Sequence, residues 1–535
     1  MPTPHTEVLV VGGGPVGLLL GCELARRGVA VRVVDRRATR VPTGARGRAL
    51  SARSLEILDD LGVVDEVHAR GRRDPKAYLY EGDTVVRELD PGAESANRPT
   101  PDAPHRCSFV ELPQQSTEEI LSDRLASWGV RVEFDHELVD LDDRAGRADL
   151  VVATVRTAGV AHQITARYVV GCDGASSRVR ELAGISFQGH TRDTEHFITG
   201  CAEIDGLDPS HLHIWSTGTM LTWQRDLDGW VFFARVHPDD TGQIPAPTTA
   251  TLRRIFAAEC RLPGVTFGAT WATSTWRPNI RMADRYRQGR VLVAGDAAHV
   301  HPPTGGQGMN TGLQDAYNLG WKLAHVLRGA PASLVDTYEA ERLPVARSLL
   351  ATSTRRYDTA TREESGRGNL EVATDAFSAK DKFADITQLS IGYPDSPLSR
   401  DLDETTGIRA GDRAPDAPGL RVRDTTTSLF ELFRGPHLTL LRFGQPTASP
   451  TAHADTVDID PVRVITVVPP GTTESASDNV VVDTEGHAHR AYGITGPASV
   501  LVRPDGHVGF TASQPTGTAL TDYLRLLTAP RSDQS

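Results

Sequence analysis

The hydrophobic pattern of the chain changes character several times. Residues 7–11 form a short apolar run, followed by Gly12-Gly13-Gly14-Pro15-Val16-Gly17. Residues 18–27 then suit a helix that stops at Gly28, where glycine supplies a left-handed cap. A second apolar run covers 30–34. Strand, tight turn, helix and strand in this order begin a parallel α/β sheet. From about 70 to 110 and from about 185 to 280, apolar and polar residues alternate instead. Examples are Ala77-Tyr78-Leu79-Tyr80, His211-Leu212-His213-Ile214-Trp215 and Trp230-Val231-Phe232-Phe233. Alternation of this kind predicts antiparallel strands. The α/β texture returns at 167–174 and 290–298, so one domain is predicted to be interrupted by insertions from a second.

Residues 331–390 read as mainly helical until Tyr393-Pro394-Asp395-Ser396-Pro397 breaks the pattern. Beyond about 400, strands are predicted at 438–443, 462–468 and 499–503, with a turn at Pro504-Asp505-Gly506. This predicts a separate small α/β domain behind a Pro- and Asp-rich linker near 403–418. Residues 445–480 read as a long surface loop interrupted by the 462–468 strand.

Composition narrows the function classes. The 535 residues are 39% hydrophobic and 24% charged, ordinary for a globular protein of several domains. A net charge of -12 repels nucleic acid and anionic membranes, so neither is expected as a partner. The five cysteines, Cys22, Cys107, Cys172, Cys201 and Cys260, are widely spaced and form no CxxC, which argues against a disulfide framework or a zinc site. With neither a secretory signal pattern nor a membrane span, a cytoplasmic location is expected.

Three segments carry chemistry. In the first, Gly12 permits the tight turn, Gly14 lets backbone approach a pyrophosphate, and Gly17 allows close helix–strand packing. The helix start faces phosphate, and Asp35 at the end of the second strand is placed to accept from a ribose. The second segment runs from Val169 to Arg180 and delivers Asp173 and Gly174 to a turn, with Ser177 and Arg180 just beyond. Read alone, it is a strand end with a helix cap. The third is Gly295-Asp296-Ala297-Ala298-His299, continuing through His301-Pro302-Pro303-Thr304-Gly305-Gly306-Gln307-Gly308-Met309-Asn310. Here a strand ends in a carboxylate suited to a sugar-chain hydroxyl, and a Gly-rich loop starts a helix whose first N–H groups can face negative charge.

In this order and spacing, the three segments resemble the group A flavoprotein monooxygenases of the para-hydroxybenzoate hydroxylase fold, over about residues 5–400. The remainder resembles the thioredoxin-like domain carried by phenol hydroxylase and aromatic polyketide hydroxylases, here without cysteine. The resemblance implies a Rossmann-like FAD-binding domain (1–70, 104–184 and 281–340) interleaved with an antiparallel-sheet substrate domain (71–103, 185–280 and 341–400). A thioredoxin-like domain would follow at 401–535. Gly12, Gly14, Gly17 and Asp35 would then hold the ADP half of FAD. Arg48 would lie near pyrophosphate and flavin, with Gln114 on the FAD side. Asp173 and Arg180 would serve FAD and the pyridine nucleotide, and Asp296 would bind the ribityl chain. Pro303 would lie by the flavin C4a carbon, and Gly308, Met309 and Asn310 would form the loop whose backbone N–H groups face flavin N1 and O2. Pro303 and Arg48 are the residues given catalytic roles.

The expected reaction is hydroxylation of a large polycyclic aromatic of polyketide type through a flavin C4a-hydroperoxide, with NAD(P)H as transient co-substrate and O2 as oxidant. Baeyer–Villiger oxidation or another oxidative ring rearrangement is the alternative, and a non-catalytic flavin-binding scaffold is a third reading. One nucleotide fingerprint without paired redox cysteines excludes disulfide reductases, and no Gly-x-Ser-x-Gly elbow supports a hydrolase. The pairs His211/His213 and His299/His301 lack a third ligand nearby, so no metal is expected. Five of the seven tryptophans lie between 215 and 276. Trp215, Trp223, Trp230 and Phe232 are expected to line the substrate cavity, whereas Trp276 is read as structural. A small aromatic molecule is the expected partner, with a homodimer left open.

Overall fold

The computed structural model describes residues 5–40, 47–143, 150–239, 241–302, 306–361, 386–403, 406–444, 462–472, 479–513 and 517–528. The first sheet is built around strand His5–Val11, which pairs in parallel with Val31–Val34 on one side and Val160–Gly171 on the other. Val291–Val293 extends it in parallel beyond Val160–Gly171, and Val132–Glu133 extends it beyond Val31–Val34. These strands come from three separate stretches of sequence, so the third chemical segment is delivered to the same sheet end as the first. Helices Pro15–Ala25, Gln114–Ser127 and Gln307–Leu327 complete this body. Residues 8–11, 168–171 and 291–293, where these strands run side by side, are nearly all apolar and buried.

The second sheet has seven strands in the order Thr266–Trp276, His196–Asp205, Gly229–Val236, Met220–Gln224, His211–Trp215, Lys76–Glu81 and Thr84–Leu89. All neighbours are antiparallel except His211–Trp215 and Lys76–Glu81, which run parallel. That one parallel pair is where two distant insertions meet. Helix Thr249–Glu259 packs Leu252 and Phe256 against one face of the sheet.

The third sheet centres on three parallel strands, Val480–Asp483, Val462–Val468 and Leu438–Phe443. They continue into the antiparallel pair Ala498–Val502 and Val508–Ala512. Helix Gly517–Leu527 closes this thioredoxin-like arrangement. Strand 438–443 matches its predicted bounds. Residues 445–461 and 473–478 of the predicted loop lie outside the described residues.

The predicted linker near 403–418 is corrected. Ala410, Ala414, Pro415, Asp416 and Ala417 are buried, the Asp416 N–H donates to the Asp102 carbonyl, and Arg413 faces Glu56 at 3.6 Å. Small and Pro residues read as a spacer in sequence, yet they suit close backbone packing equally well. The third domain is therefore strapped to the first, and its Leu438, Leu440, Leu501, Phe510 and Tyr523 join the core of the first domain. Among the described residues no helix is long and apolar enough to cross a membrane.

Candidate functional site: a cofactor cradle facing a sheet

The three glycines of the first segment have different surroundings. Gly12 has φ +112°, and a Cβ there would lie 2.3 Å from the Cys172 carbonyl oxygen. A Cβ on Gly17 would lie 1.9 Å from the Gly12 carbonyl oxygen, so strand and helix are packed as closely as backbone allows. At Gly14 a Cβ would meet nothing within 4 Å. The open space sits at the start of helix Pro15–Ala25, where N–H groups without helical partners suit a pyrophosphate.

Asp35 accepts from the Gly13 N–H at 2.8 Å and from the Arg37 N–H at 2.8 Å, and it pairs with the Arg37 guanidinium. Burial raises its carboxyl, but the Arg37 bonds and the Gly13 N–H outweigh that and hold it below the ordinary carboxylate range. An ionised acceptor is what recognition of a ribose needs.

The third segment ends its strand in a single 3-10 turn, Gly295–Ala297. Asp296 is exposed there, while Gly295 is pressed so closely on Val16 that a Cβ would lie 2.8 Å from its side chain. The turn is fixed from below by Asp315. This buried carboxylate accepts from the Gly295 N–H at 3.1 Å, from His299 Nε2 at 2.8 Å and from Arg342 Nε at 2.8 Å. Pro303, with Thr304 and Gly305, lies outside the described residues.

Helix Gln307–Leu327 follows Gly306, which has φ +60°. A helix starting there leaves the N–H groups of Gln307, Gly308 and Met309 without acceptors inside the helix and uses that of Asn310. The N–H groups without helical acceptors thus begin earlier than the expected Met309 and Asn310 pair, and that of Asn310 is not among them. The Asn310 side chain has a bracing role. Its oxygen accepts from the Ser51 N–H and the Ser54 hydroxyl, and its amide donates to the Ala49 and Gly306 carbonyls.

His301 stands beside this helix start. A Cβ on Gly308 would lie 3.1 Å from its Nε2. Its Nδ1 is 2.9 Å from the Pro302 carbonyl, so Nδ1 carries the proton and Nε2 is a buried acceptor with no partner among the described residues. Burial pushes this imidazole down to about 4.

Arg48 lies between the cradle and the second sheet. Its Nη2 is 2.9 Å from Met220 Sδ and its Nε is 3.9 Å from Glu111. Burial together with the neighbouring Arg72 lowers its pKa despite Glu111. Gln114 accepts from the Gly47 N–H at 3.2 Å and donates to Glu118, which places it behind Arg48. Asp173 and Arg180 have structural partners. Asp173 accepts from Ser177 Oγ and from the Arg178 and Val179 N–H groups, capping a short helix. Arg180 donates to the Ala297 and Ala175 carbonyls and lies over the Phe187 ring. The helix-cap reading describes this segment.

The FAD binding domain family matches residues 5–353, and the aromatic-ring hydroxylase C-terminal family matches residues 408–530. This chain belongs to the FAD-dependent group A aromatic monooxygenases. It is 36% identical to a flavin-dependent monooxygenase of Mycobacteroides abscessus over 97% of this chain and 99% of that protein. It is 33% identical to a 6-methylpretetramide 4-monooxygenase of Streptomyces rimosus, covering 97% of this chain and 93% of that one. The crystal structure of aklavinone-11 hydroxylase with FAD and aklavinone superposes with a TM-score of 0.79. The two are 29% identical, over 98% of this chain and 100% of that one.

Within this monooxygenase the expected cavity tryptophans are corrected. Residues opposite each other on paired strands share a face. Met220 is opposite Phe233, Leu221 opposite Phe232, Thr222 opposite Val231 and Trp223 opposite Trp230. Met220 and Thr222 face the cradle, through Arg48 and Glu111. Trp223, Trp230 and Phe232 therefore face away, into the core beneath helix Thr249–Glu259, and Trp215 joins them, stacked on Tyr80. Trp215, Trp230 and Phe232 are 0%, 1% and 0% exposed. The two indole N–H groups donate to the Gly82 and Ile204 carbonyls. His211 and His213 stack in the same column, and among the described residues no group of three metal-ligating side chains forms.

Three residues that shape the site escaped sequence reasoning. Asp315 and Arg342 hold the Gly295 turn, and Asp315 is one of two charged side chains, with Lys322, in the Gln307–Leu327 helix. Glu111 is 2% exposed and accepts from Arg72 at 2.6 Å and from Thr222 at 2.7 Å, joining the two domains beside Arg48. Nothing in its local sequence marks it.

Proposed function

We propose that this protein is an NAD(P)H-using monooxygenase that hydroxylates a large polycyclic aromatic. The observation that carries the reading is the cradle's position. The open space at Gly14, the N–H groups of Gly308 and Met309 that have no acceptor inside the helix, and exposed Asp296 fit FAD, and they face an apolar sheet across Arg48. Bound FAD, reduced by NAD(P)H, supplies activation of O2 and transfer of one oxygen atom. The chain's own residues bind, orient and exclude water. Gly12, Gly14 and Gly17 admit the pyrophosphate, Asp35 takes the ribose, and Asp296 takes the sugar-alcohol chain. The start of helix Gln307–Leu327 presents fixed dipoles to the negative charge of a reduced ring, at no reorganisation cost during the reaction. Arg48 adds a desolvated cation on the sheet side. The wall formed by Leu212, Ile214 and Met220 keeps that side dry.

The test is purified yellow protein with NADH or NADPH, candidate polycyclic phenols and labelled O2. Flavin reduction and a product carrying one labelled phenolic oxygen are expected. Absence of flavin reduction with every candidate would overturn the monooxygenase reading. A label inserted into a ring C–C bond would replace hydroxylation by Baeyer–Villiger chemistry.

A further inference from the structure

The sheet face that looks at the cradle carries more than its contacts with Arg48 and Glu111. Phe233 lies opposite Met220 on one side and opposite Thr199 on the other. Phe197 pairs with Arg235 and with Trp276, so these three side chains share the same face. The Phe197 ring stacks on Phe233 at 5.1 Å and on Trp276 at 4.7 Å between centroids, nearly parallel in both cases. Phe233 and Trp276 are both partly exposed, so they form the upper layer of this aromatic bed.

Two polar groups border the bed. Thr199 is 4% exposed, and among the described residues its hydroxyl has no hydrogen-bond partner. A buried hydroxyl without a partner is disfavoured unless something else fills the site. Among the described residues no carboxylate lies within ion-pair distance of Arg235. The Arg235 charge acts on the Tyr357 hydroxyl, which itself donates to Glu195. Arg235 lies two residues along the strand from Phe233, and Phe233 is opposite the Met220 that touches Arg48. With strand spacings of about 5 Å and a rise of about 3.4 Å per residue, Arg235 is roughly 8 Å across the face from Met220. A fused polycycle spans that interval, and a single benzene ring does not.

We propose that Phe233, Trp276, Thr199 and Arg235 form a distal substrate subsite for a planar polycyclic ring bearing an ionised carboxylate or acidic enol. The aromatic bed stacks the ring, Thr199 bonds a ring oxygen, and Arg235 pairs with the anion. The opposite end of the ring system is left under Arg48, beside the cofactor. The inference rests on the monooxygenase reading for its substrate class but is tested by binding alone.

The experiment titrates anthraquinone-2-carboxylate and its methyl ester into the FAD-loaded protein and follows quenching of tryptophan fluorescence. Wild type is expected to bind the carboxylate about tenfold or more tightly than the ester, the ratio for one charge-assisted bond. Arg235→Gln should abolish that preference and leave ester binding unchanged, while Arg235→Lys restores part of it. Thr199→Val should weaken both ligands similarly, and none of the three variants should change FAD content. The proposal is overturned if wild type binds neither probe, if Arg235→Gln keeps the preference, or if it weakens ester and carboxylate equally. NAD(P)H-driven flavin reduction is measured in parallel. Its failure with the binding preference intact would count against the monooxygenase reading and not against the subsite.

Discussion

Replacing Glu341 by Gln should loosen the whole assembly, because four charges are buried together at the join between the first and third domains. Glu341 Oε1 accepts from Arg503 Nη1 and Ser396 Oγ, each at 2.6 Å. Oε2 accepts from Lys322 at 2.6 Å, from Asn318 at 2.6 Å and from Arg503 Nη2 at 2.9 Å. Arg503 also grips Asp505, whose carboxylate takes the Trp321 indole N–H at 3.0 Å. The side chains of Lys322, Glu341 and Arg503 are 0% exposed, so two cations and two anions balance without water. Burial pushes Lys322 down to about 8 although Glu341 opposes it. Burial would raise the Glu341 carboxyl, but Arg503 and Lys322 hold it well below the ordinary range.

Glu341→Gln leaves Lys322 and Arg503 sharing Asp505 alone and turns an amide donor toward existing donors. Breaking one member of such a buried set costs about 3–5 kcal/mol. Replacing both Lys322 and Glu341 by Met removes one charge of each sign and leaves the Arg503–Asp505 pair intact. This double variant should be more stable than Glu341→Gln, since apolar replacement of a whole buried pair is close to neutral. Denaturant unfolding followed by fluorescence and circular dichroism reads both effects. The reasoning is refuted if Glu341→Gln unfolds at the wild-type midpoint, or if the double variant unfolds before the single one.

Other outcomes follow from the same geometry. Gly14→Ala places its methyl in open space, so the fold should be unaffected while FAD affinity drops, read by fluorescence on reconstitution. Gly12→Ala must instead accept φ +112° and a carbonyl 2.3 Å away, and it should lose more than about 1–3 kcal/mol of stability. Asp296→Ala should lower FAD retention through ultrafiltration, and unchanged retention would remove Asp296 from the site. Acid should destabilise the protein from about pH 6.5 downward. His301 is neutral in the fold to about 4, so its contribution is complete above 6.5, falls with pH, and is lost below 4. That loss is about 3 kcal/mol, and His213 and His507, also pushed down by burial, add to it. His301→Gln should flatten part of the slope.

The turn of the cradle was legible in the sequence because Gly12 and Gly17 answer backbone requirements that no other residue meets. The crowding at Gly17 is a local consequence of the turn, whereas that at Gly12 comes from the Cys172 carbonyl of a neighbouring strand end. Asp173 and Arg180 show the limit of that legibility. The same residues suit a helix cap and a cofactor contact, and the partners that distinguish the two, such as the Ala297 carbonyl, come from more than a hundred residues away. Glu111 was invisible for a related reason, since its meaning depends on Arg72 and Thr222, which reach it from separate strands.

The tryptophans failed at a finer level. The alternation in the sequence predicted antiparallel strands where the second sheet lies, but alternation fixes which residues share a face, not which face meets the cradle. In a sheet whose two faces are both largely covered, the polarity contrast that normally separates inside from outside is absent. Large aromatics were then assigned to the cavity by size. Size in fact favours the other side, where Trp215, Trp230 and Phe232 fill the deep core under helix Thr249–Glu259 and their N–H groups find carbonyls. Shifting the choice by one residue moves Phe232 to Phe233 and exchanges the whole set for Phe197, Thr199, Met220, Arg235 and Trp276. Met220 and Thr222 decide between the two, because the sulfur of Met220 touches Arg48 and the hydroxyl of Thr222 donates to Glu111. Contacts between domains therefore settle which face of the seven strands meets the cradle, and no pattern within those strands could have supplied them.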